Sequence, residues 1–329
     1  MFTATAHVEA GDNTRALTSA DVDGDGIVDL IATNLDAGSV TILLGAGDGT
    51  FTTGSTVTVG NQPYQAAAAD LDGDGDVDLA VGNFGDDTVT VLLNDGAGAF
   101  TIGSTITVGD APRSLAIGDL DGDGDDDIAV GVQSISAVAV LLNDGDGTFA
   151  APTDFATGSS PHGTALADLD ADGDLDIVTV SVGSDGVSVL LGNGDGTFRP
   201  ATDYGSGVER LYSVVAGDFD GDGTVDIATV SNGGGIAEIF DGNGDGTLAQ
   251  PITYDVGDKA VAVSSSPIGV LVANFTDGTI TVIDDGSTST VTTGGAPYDA
   301  VAADFNRDGV VDIAIADSSA NAVVVLTGR

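Results

Sequence analysis

Acidic side chains recur at a fixed spacing along this chain. The segment DVDGDGIVD, which begins at residue 21, returns as DLDGDGDVD at 70, DLDGDGDDD at 119, DLDADGDLD at 168 and DFDGDGTVD at 218, with a looser copy, DFNRDGVVD, at 304. Positions 1, 3, 5 and 9 of each full copy are carboxylates, Gly at position 4 or 6 permits a tight turn, and position 7 can offer its backbone carbonyl. Calcium takes 6 to 8 oxygen ligands in flexible geometry, whereas zinc favours His or Cys and magnesium fewer protein ligands. The segments therefore predict calcium loops.

Six loops predict about six Ca²⁺ ions, each held by four side chains and one backbone carbonyl. The candidate metal ligands are Asp21, Asp23, Asp25, Ile27 and Asp29; Asp70, Asp72, Asp74, Asp76 and Asp78; Asp119, Asp121, Asp123, Asp125 and Asp127; Asp168, Asp170, Asp172, Asp174 and Asp176; Asp218, Asp220, Asp222, Thr224 and Asp226; and Asp304, Asn306, Asp308, Val310 and Asp312. Because the last loop has an amide at position 3, we expect it to bind most weakly.

The loops differ from EF-hands and from simple solvated turns. An EF-hand begins with the same pattern but needs a Glu at position 12, and no loop of this chain has one there. Simple solvated turns would leave several carboxylates crowded together, and these repel one another strongly without a cation. The sequence favours calcium.

The loops belong to a longer internal repeat. Successive loops start 49 or 50 residues apart as far as residue 218, and the wider gap before residue 304 contains a repeat at about 258–294 in which residues 264–269 replace the acidic loop. Seven repeats of about 47–50 residues thus span a single domain, 1–329. Each repeat contains four short apolar runs separated by turn residues, which predicts an all-β, seven-bladed β-propeller of four-stranded antiparallel blades. Residues 3–11 resemble a fourth strand, so we expect the N-terminal strand to close the last blade and remove an exposed edge.

Charge limits the possible partners. The chain has 52 acidic and 7 basic residues, a formal net charge of -45, and no Cys. Such an acidic surface repels nucleic acid and anionic membranes, and no apolar stretch is long enough to span a bilayer. We expect no nucleic-acid partner, no direct membrane insertion and a monomeric isolated domain.

A second set of residues lies six positions before the first Asp of each loop. This slot contains Arg15, Tyr64, Arg113, His162, Tyr212 and Tyr298, with Val261 at the equivalent place in the repeat that lacks a loop. In a closed ring these side chains would surround the central channel on the face opposite the calcium loops. One interpretation is a ligand-binding ring, with Tyr faces for a sugar or peptide and Arg for a carboxylate. The alternative is that the slot simply packs a bulky side chain at the start of a strand.

The repeat resembles a known family. A blade with D-x-D-G-D-G-x-x-D between its first two strands and a GDGTF turn later is similar to the FG-GAP/VCBS repeats, which form the headpiece of integrin alpha subunits. The resemblance covers essentially the whole chain and implies calcium in the loop joining the first two strands of a blade. Relatives include adhesion receptors, fungal lectins and domains attached to secreted polysaccharide-acting enzymes. It implies an extracellular or cell-surface location, as part of a larger secreted protein.

These observations predict a binding protein. The chain has two His residues, no Cys, no nucleophile motif and no Gly-rich phosphate loop, so we expect no enzymatic activity. We expect instead a calcium-stabilised adhesion or binding module whose protein or glycan ligand lies on the face opposite the calcium loops. A carbohydrate-binding lectin and a structural spacer in a larger surface protein remain open as alternatives.

Overall fold

The computed structural model describes residues 2–329, and every regular element within them is a β-strand. Seven four-stranded sheets form the blades. Blade 1 contains β2 (Thr14–Ala20), β3 (Asp29–Asn34), β4 (Ser39–Gly45) and β5 (Phe51–Thr58); blade 2 contains β6 (Pro63–Ala69), β7 (Asp78–Asn83), β8 (Thr88–Asn94) and β9 (Phe100–Thr107); blade 3 contains β10 (Pro112–Gly118), β11 (Asp127–Val132), β12 (Ala137–Leu141) and β13 (Thr153–Ala156). Blade 4 contains β14 (Pro161–Ala167), β15 (Asp176–Ser181), β16 (Gly186–Leu190) and β17 (Thr202–Gly205); blade 5 contains β18 (Leu211–Gly217), β19 (Asp226–Ser231), β20 (Ile236–Phe240) and β21 (Ile252–Asp255). Blade 6 contains β22 (Ala260–Ser266), β23 (Gly269–Asn274), β24 (Thr279–Asp284) and β25 (Ser287–Thr292); blade 7 contains β26 (Pro297–Ala303), β27 (Asp312–Asp317), β28 (Ala322–Thr327) and β1 (Thr3–Glu9).

The N-terminal strand closes the ring. All neighbouring strands within a sheet are antiparallel, and β1 pairs with β28 with Glu9 opposite Ala322 and Thr3 opposite Thr327. The innermost strands of adjacent blades contact one another around the circle, including β26 of the last blade with β2 of the first. The predicted seven-bladed, all-β propeller with an N-terminal closing strand is therefore confirmed.

The core lies between the blades. Seven clusters of buried apolar side chains each join two adjacent sheets, and the second strands β3, β7, β11, β15, β19 and β27 are buried along their whole length. At the seam between the last and first blades, Phe305 packs edge-on against Phe51 with ring centroids 5.5 Å apart. Strands rich in Val, Ile and Ala fit this environment because both faces of a blade are covered by its neighbours. No helix in residues 2–329 has the length and hydropathy needed to cross a membrane.

A β-bulge lies at the start of each inner strand. The pairing of the first and second strands skips one position in six blades, for example between Pro112 and Ser114 in blade 3, and two positions, Arg15 and Ala16, in blade 1. The skipped positions include those of the slot predicted to face the channel: Arg15, Tyr64, Arg113, His162, Tyr212, Val261 and Tyr298. A bulge bends the strand locally and redirects a side chain. The bend in each inner strand thus falls at the slot residue that the sequence predicts to face the channel.

Candidate metal centres and the channel ring

Three carboxylates meet in each of the five full acidic loops. Loop positions 1, 3 and 9 bring one oxygen each to within 4.8 Å of the others. These clusters are Asp21, Asp23 and Asp29; Asp70, Asp72 and Asp78; Asp119, Asp121 and Asp127; Asp168, Asp170 and Asp176; and Asp218, Asp220 and Asp226. Each loop joins the first strand of a blade to the second, so all the clusters lie at one end of the propeller. The spacing of their oxygens is compatible with a shared calcium ion.

Position 9 also ties the loop to the blade. In blade 2, Asp78 is fully buried; its Oδ2 accepts a hydrogen bond from the N–H of Leu71 at 3.0 Å and its Oδ1 accepts one from the N–H of Asn94 at 2.8 Å. The first donor is loop position 2, and the second is the last residue of the third strand β8. The same pair of bonds recurs at the other five loops, where position 9 is Asp29, Asp127, Asp176, Asp226 or Asp312. This aspartate therefore organises the loop as well as contributing to the cluster.

The remaining candidate ligands are placed differently. Within the described residues, the aspartate at loop position 5 does not belong to any of the five clusters. Instead, its Oδ1 accepts a hydrogen bond from the backbone N–H of position 7 in each loop, as Asp74 does from Asp76 at 2.9 Å. The loop starting at Asp304 forms no such carboxylate cluster in the described structure, because Asn306 stands at position 3. The metal-ligand roles of position 5, of the position 7 carbonyl and of the Asp304 loop remain predictions.

The electrostatics of the clusters suit a cation. Burial raises the pKa of the position 9 carboxyls, to about 6 for Asp127 and Asp176. Burial, and then repulsion from Asp74, raises the pKa of Asp72 above its usual value. Among the described residues, the Oδ1 atoms of Asp21 and Asp170 are buried and have no hydrogen-bond partner. A divalent cation would satisfy these oxygens and offset the repulsion, so the residues present fit calcium.

Adjacent blades cover most of the loops. The carbonyl of loop position 2 accepts a hydrogen bond from the next blade, either from the end of its third strand or from the segment that leads to its fourth. The pairs are Val22 with Asn94, Leu71 with Asn143, Leu120 with Gly196, Leu169 with Gly246, and Phe305 with Gly49. Blade 6 has instead a short turn at residues 285–286 between β24 and β25. Consequently Asp218 and Asp220 of the fifth loop are exposed, while their counterparts in the other four clusters are partly buried. They line an open groove of about 400 Å³ beside blade 6.

The predicted channel residues do come together. The hydroxyl oxygen of Tyr64 lies 2.8 Å from that of Tyr298 and 3.3 Å from that of Tyr212, and the last two are 3.0 Å apart. Arg15 and Arg113 each donate through Nη2 to the Tyr64 hydroxyl, and Arg113 also donates to Tyr212 at 2.6 Å. These residues come from blades 1, 2, 3, 5 and 7, so their side chains cross the channel and meet. We call this group, with His162, the channel ring.

His162 completes the ring. It is buried, with its ring centroid 4.0 Å from that of Tyr212. Burial, and then the positive charge of Arg113, lowers the pKa of His162 to about 2, so the imidazole is neutral at physiological pH. The ring and the adjoining inner-strand residues line a cavity of about 200 Å³.

Comparison with known proteins supports the assignment of the repeats. Residues 21–81, 70–130, 119–179 and 179–229 match the FG-GAP-like repeat, and together these segments cover more than half of the chain. The chain belongs to the FG-GAP-like repeat family. No curated protein sequence matches this FG-GAP propeller.

Solved structures share its fold at low sequence identity. Virginiamycin B lyase from Staphylococcus aureus is 11% identical with a TM-score of 0.73, and the match covers 100% of each chain. BBS1N, solved in complex with ARL6DN, is 11% identical with a TM-score of 0.71 over 100% of this chain and 97% of its own. An Agrocybe aegerita lectin that specifically recognises non-reducing terminal N-acetylglucosamine is 21% identical with a TM-score of 0.58 over 96% of this chain and 86% of its own. These likenesses show the fold alone.

One expectation requires correction. The sequence lacks a nucleophile motif and so predicts no enzymatic activity, but virginiamycin B lyase, an enzyme, has the same propeller architecture. A fold supports unrelated functions through the residues placed on it, so the FG-GAP propeller does not exclude catalysis.

Sequence reasoning missed the hydrogen bonds that link adjacent inner strands. Just after the ring position, Gln65 Oε1 accepts the N–H of Leu115 at 3.2 Å, Ser213 Oγ accepts that of Val263 at 3.2 Å, and Asp299 Oδ2 accepts that of Leu17 at 3.0 Å. A polar residue directly after the ring slot was the available signal in the FG-GAP propeller sequence.

Proposed function

We propose that this protein is a calcium-stabilised extracellular binding or adhesion module whose ligand, a protein or a glycan, contacts the face opposite the calcium loops. The observation that carries the proposal is the channel ring, which gathers three tyrosines, two arginines and a histidine from six blades at that face. Tyr and Arg are enriched among residues that dominate binding energy. The chain has only 7 basic residues, so two in one channel are a marked local concentration.

Calcium would support this function structurally. The clusters join the first two strands of a blade, and the loops are in turn bonded to the next blade. Extracellular calcium modules bind with dissociation constants of about 10⁻⁴ to 10⁻³ M, a range matched to millimolar calcium outside cells. We propose an extracellular location on that basis. We also propose that the isolated domain is monomeric, because its formal net charge of -45 makes copies of the chain repel one another.

The test is a screen of the calcium-loaded protein against glycan and peptide arrays. A ligand that binds wild type and loses affinity by about tenfold or more in Tyr64→Ala would support the proposal. Ile102→Ala is a suitable control, because Ile102 is an exposed apolar residue on outer strand β9, away from the ring. Failure to bind any protein or glycan would overturn the proposal and leave a structural spacer.

A lectin is the second candidate. The tyrosine side chains gathered in the channel ring support it, and the Agrocybe aegerita lectin that recognises non-reducing terminal N-acetylglucosamine is a sugar-binding protein of similar fold. Binding confined to glycans on the arrays, and inhibited by the free monosaccharide, would establish this narrower function. Binding confined to peptides would eliminate it.

A further inference from the structure

The channel ring places two positive charges against one hydroxyl oxygen. Arg15 and Arg113 both donate to the hydroxyl of Tyr64. That oxygen accepts two hydrogen bonds from them, so its own proton is directed to another tyrosine of the ring. Two like charges this close in a partly buried channel repel each other unless an anion is near.

No carboxylate of the described chain forms an ion pair with Arg15 or Arg113. Despite 52 acidic residues, the ion pair found within residues 2–329 is Arg199 with Asp170, at 3.7 Å, and neither residue belongs to the ring. Asp299 lines the same cavity, but its two oxygens accept the backbone N–H groups of Leu17 and Ala300. Neither arginine of the ring therefore has a carboxylate partner in the described structure.

The arginines also have donors to spare. In the described structure, the Nε atoms of Arg15 and Arg113 are buried and have no hydrogen-bond partner. A buried donor left unpaired costs about 1–3 kcal/mol. The guanidinium carbon of Arg15 lies over the ring of Tyr298, 3.6 Å from its centroid, and that of Arg113 lies over Tyr64, 4.1 Å from its centroid. The aromatic contacts hold both guanidinium groups in place without using their remaining N–H groups.

We propose that the channel ring binds the carboxylate of a small ligand between Arg15 and Arg113, with the tyrosine rings packing against the rest of the molecule. This rests on the proposed function, since it specifies the ligand chemistry of the same face. The planar fork of a guanidinium matches a carboxylate in a bidentate arrangement, and a second guanidinium can complete its hydrogen bonds. The cavity of about 200 Å³ limits the buried part to a group of roughly monosaccharide size. A sugar acid combines a carboxylate with a group of this size.

The test is calorimetric titration of the calcium-loaded full chain with D-glucuronate, using D-glucose as the neutral probe of similar shape. We expect one saturable glucuronate site per chain and at least about tenfold weaker binding of glucose. Arg113→Gln and Arg15→Gln should each weaken glucuronate binding by about 30-fold or more, because each removes a charged donor. Arg329→Gln removes the same charge at the exposed C-terminal residue and should leave the affinity unchanged. If one Gln variant fails to fold, Arg113→Lys can replace it. This variant keeps the positive charge but lacks the planar guanidinium group, so it should bind glucuronate more weakly than wild type.

Several results would overturn the inference. Equal binding of glucose and glucuronate would mean recognition through the hydroxyls alone and would eliminate the carboxylate. Binding of inorganic phosphate or sulfate with no binding of glucuronate would assign the ring to a different oxyanion. Unchanged affinity in both Arg15→Gln and Arg113→Gln would place the site elsewhere.

The array screen separates this inference from the proposed function. If a neutral glycan or peptide binds wild type and the two arginine variants equally, the protein would still be a binding module, but the proposed carboxylate site would be contradicted. If glucuronate binding requires both arginines but the arrays yield no ligand, the carboxylate site would be supported and the adhesion function contradicted.

Discussion

The carboxylate of Asp299 accepts a hydrogen bond from the backbone N–H of Leu17, 282 residues earlier in the chain, at 3.0 Å. This bond joins the inner strand of blade 7 to the inner strand of blade 1, beside the channel. At the outer edge of blade 7, the N-terminal strand β1 pairs with β28. The two ends of the repeat array are thus connected at both the inside and the outside of the ring. A propeller needs both contacts because an open seam would expose sheet faces and edges.

Asp299 should make stability depend on pH. Burial raises its pKa from 3.8 to about 6, so the folded protein binds the proton more tightly than the unfolded chain. The contribution of this group to the free energy of unfolding should therefore be fully present below about pH 4 and fall by up to about 3 kcal/mol as the pH rises past 6. Denaturant unfolding of wild type and Asp299→Asn at several pH values, at fixed calcium, measures the difference. A difference that does not vary between pH 4 and 7 would contradict this prediction.

Calcium removal should destabilise the protein. Five carboxylate clusters become self-repelling without a cation, and millimolar calcium at weak extracellular-type sites contributes up to about 1.5 kcal/mol per site. Calorimetry should show a lower melting temperature in EGTA, restored by calcium and restored poorly by magnesium. Native mass spectrometry should detect five ions retained more firmly than a sixth at the Asp304 loop. An unchanged melting temperature would refute a structural role for the ion.

Positions 5 and 9 of one loop should differ in their effect on stability. Asp78→Ala should lower the free energy of unfolding by about 2–5 kcal/mol even in EGTA, because it leaves the buried N–H groups of Leu71 and Asn94 without an acceptor. Asp74→Ala, the matched control, removes an acceptor for the exposed N–H of Asp76 and should cost less than about 1 kcal/mol in EGTA. Urea unfolding measures both. Equal losses of unfolding free energy in the two variants in EGTA would mean that position 9 stabilises the protein only by binding the metal.

Tyr64 should ionise more easily than the tyrosines beside it. Burial opposes ionisation, but Arg113 and Arg15 outweigh it and lower the pKa of Tyr64 below 10.0. Burial, and then the neighbouring Tyr64, raises the pKa of both Tyr212 and Tyr298. Ultraviolet titration should therefore detect one early tyrosinate that disappears in Tyr64→Phe and remains in Tyr254→Phe. Loss of the early step in the Tyr254 variant instead would contradict the assignment.

Much of the metal chemistry was readable from local sequence. The spacing of Asp70, Asp72 and Asp78 within nine residues is enough to bring their oxygens together, because a short Gly-containing loop has few ways to fold. The contacts between each loop and the adjacent blade could not be predicted from the sequence. Asn94 reaches back to Val22 in the preceding blade, a contact separated by 72 residues that depends on how two sheets pack.

The sequence by itself determined the number of blades, the closing strand and the six acidic loops, because repeat period, apolar pattern and turn residues act over short distances along the chain. Tertiary structure alone decided that Arg15 and Arg113 would share the hydroxyl of Tyr64 and that the fifth loop would be left uncovered. Both depend on residues from different blades meeting once the ring has closed. The spacing within one repeat carries no information about which side chains the other repeats place beside it.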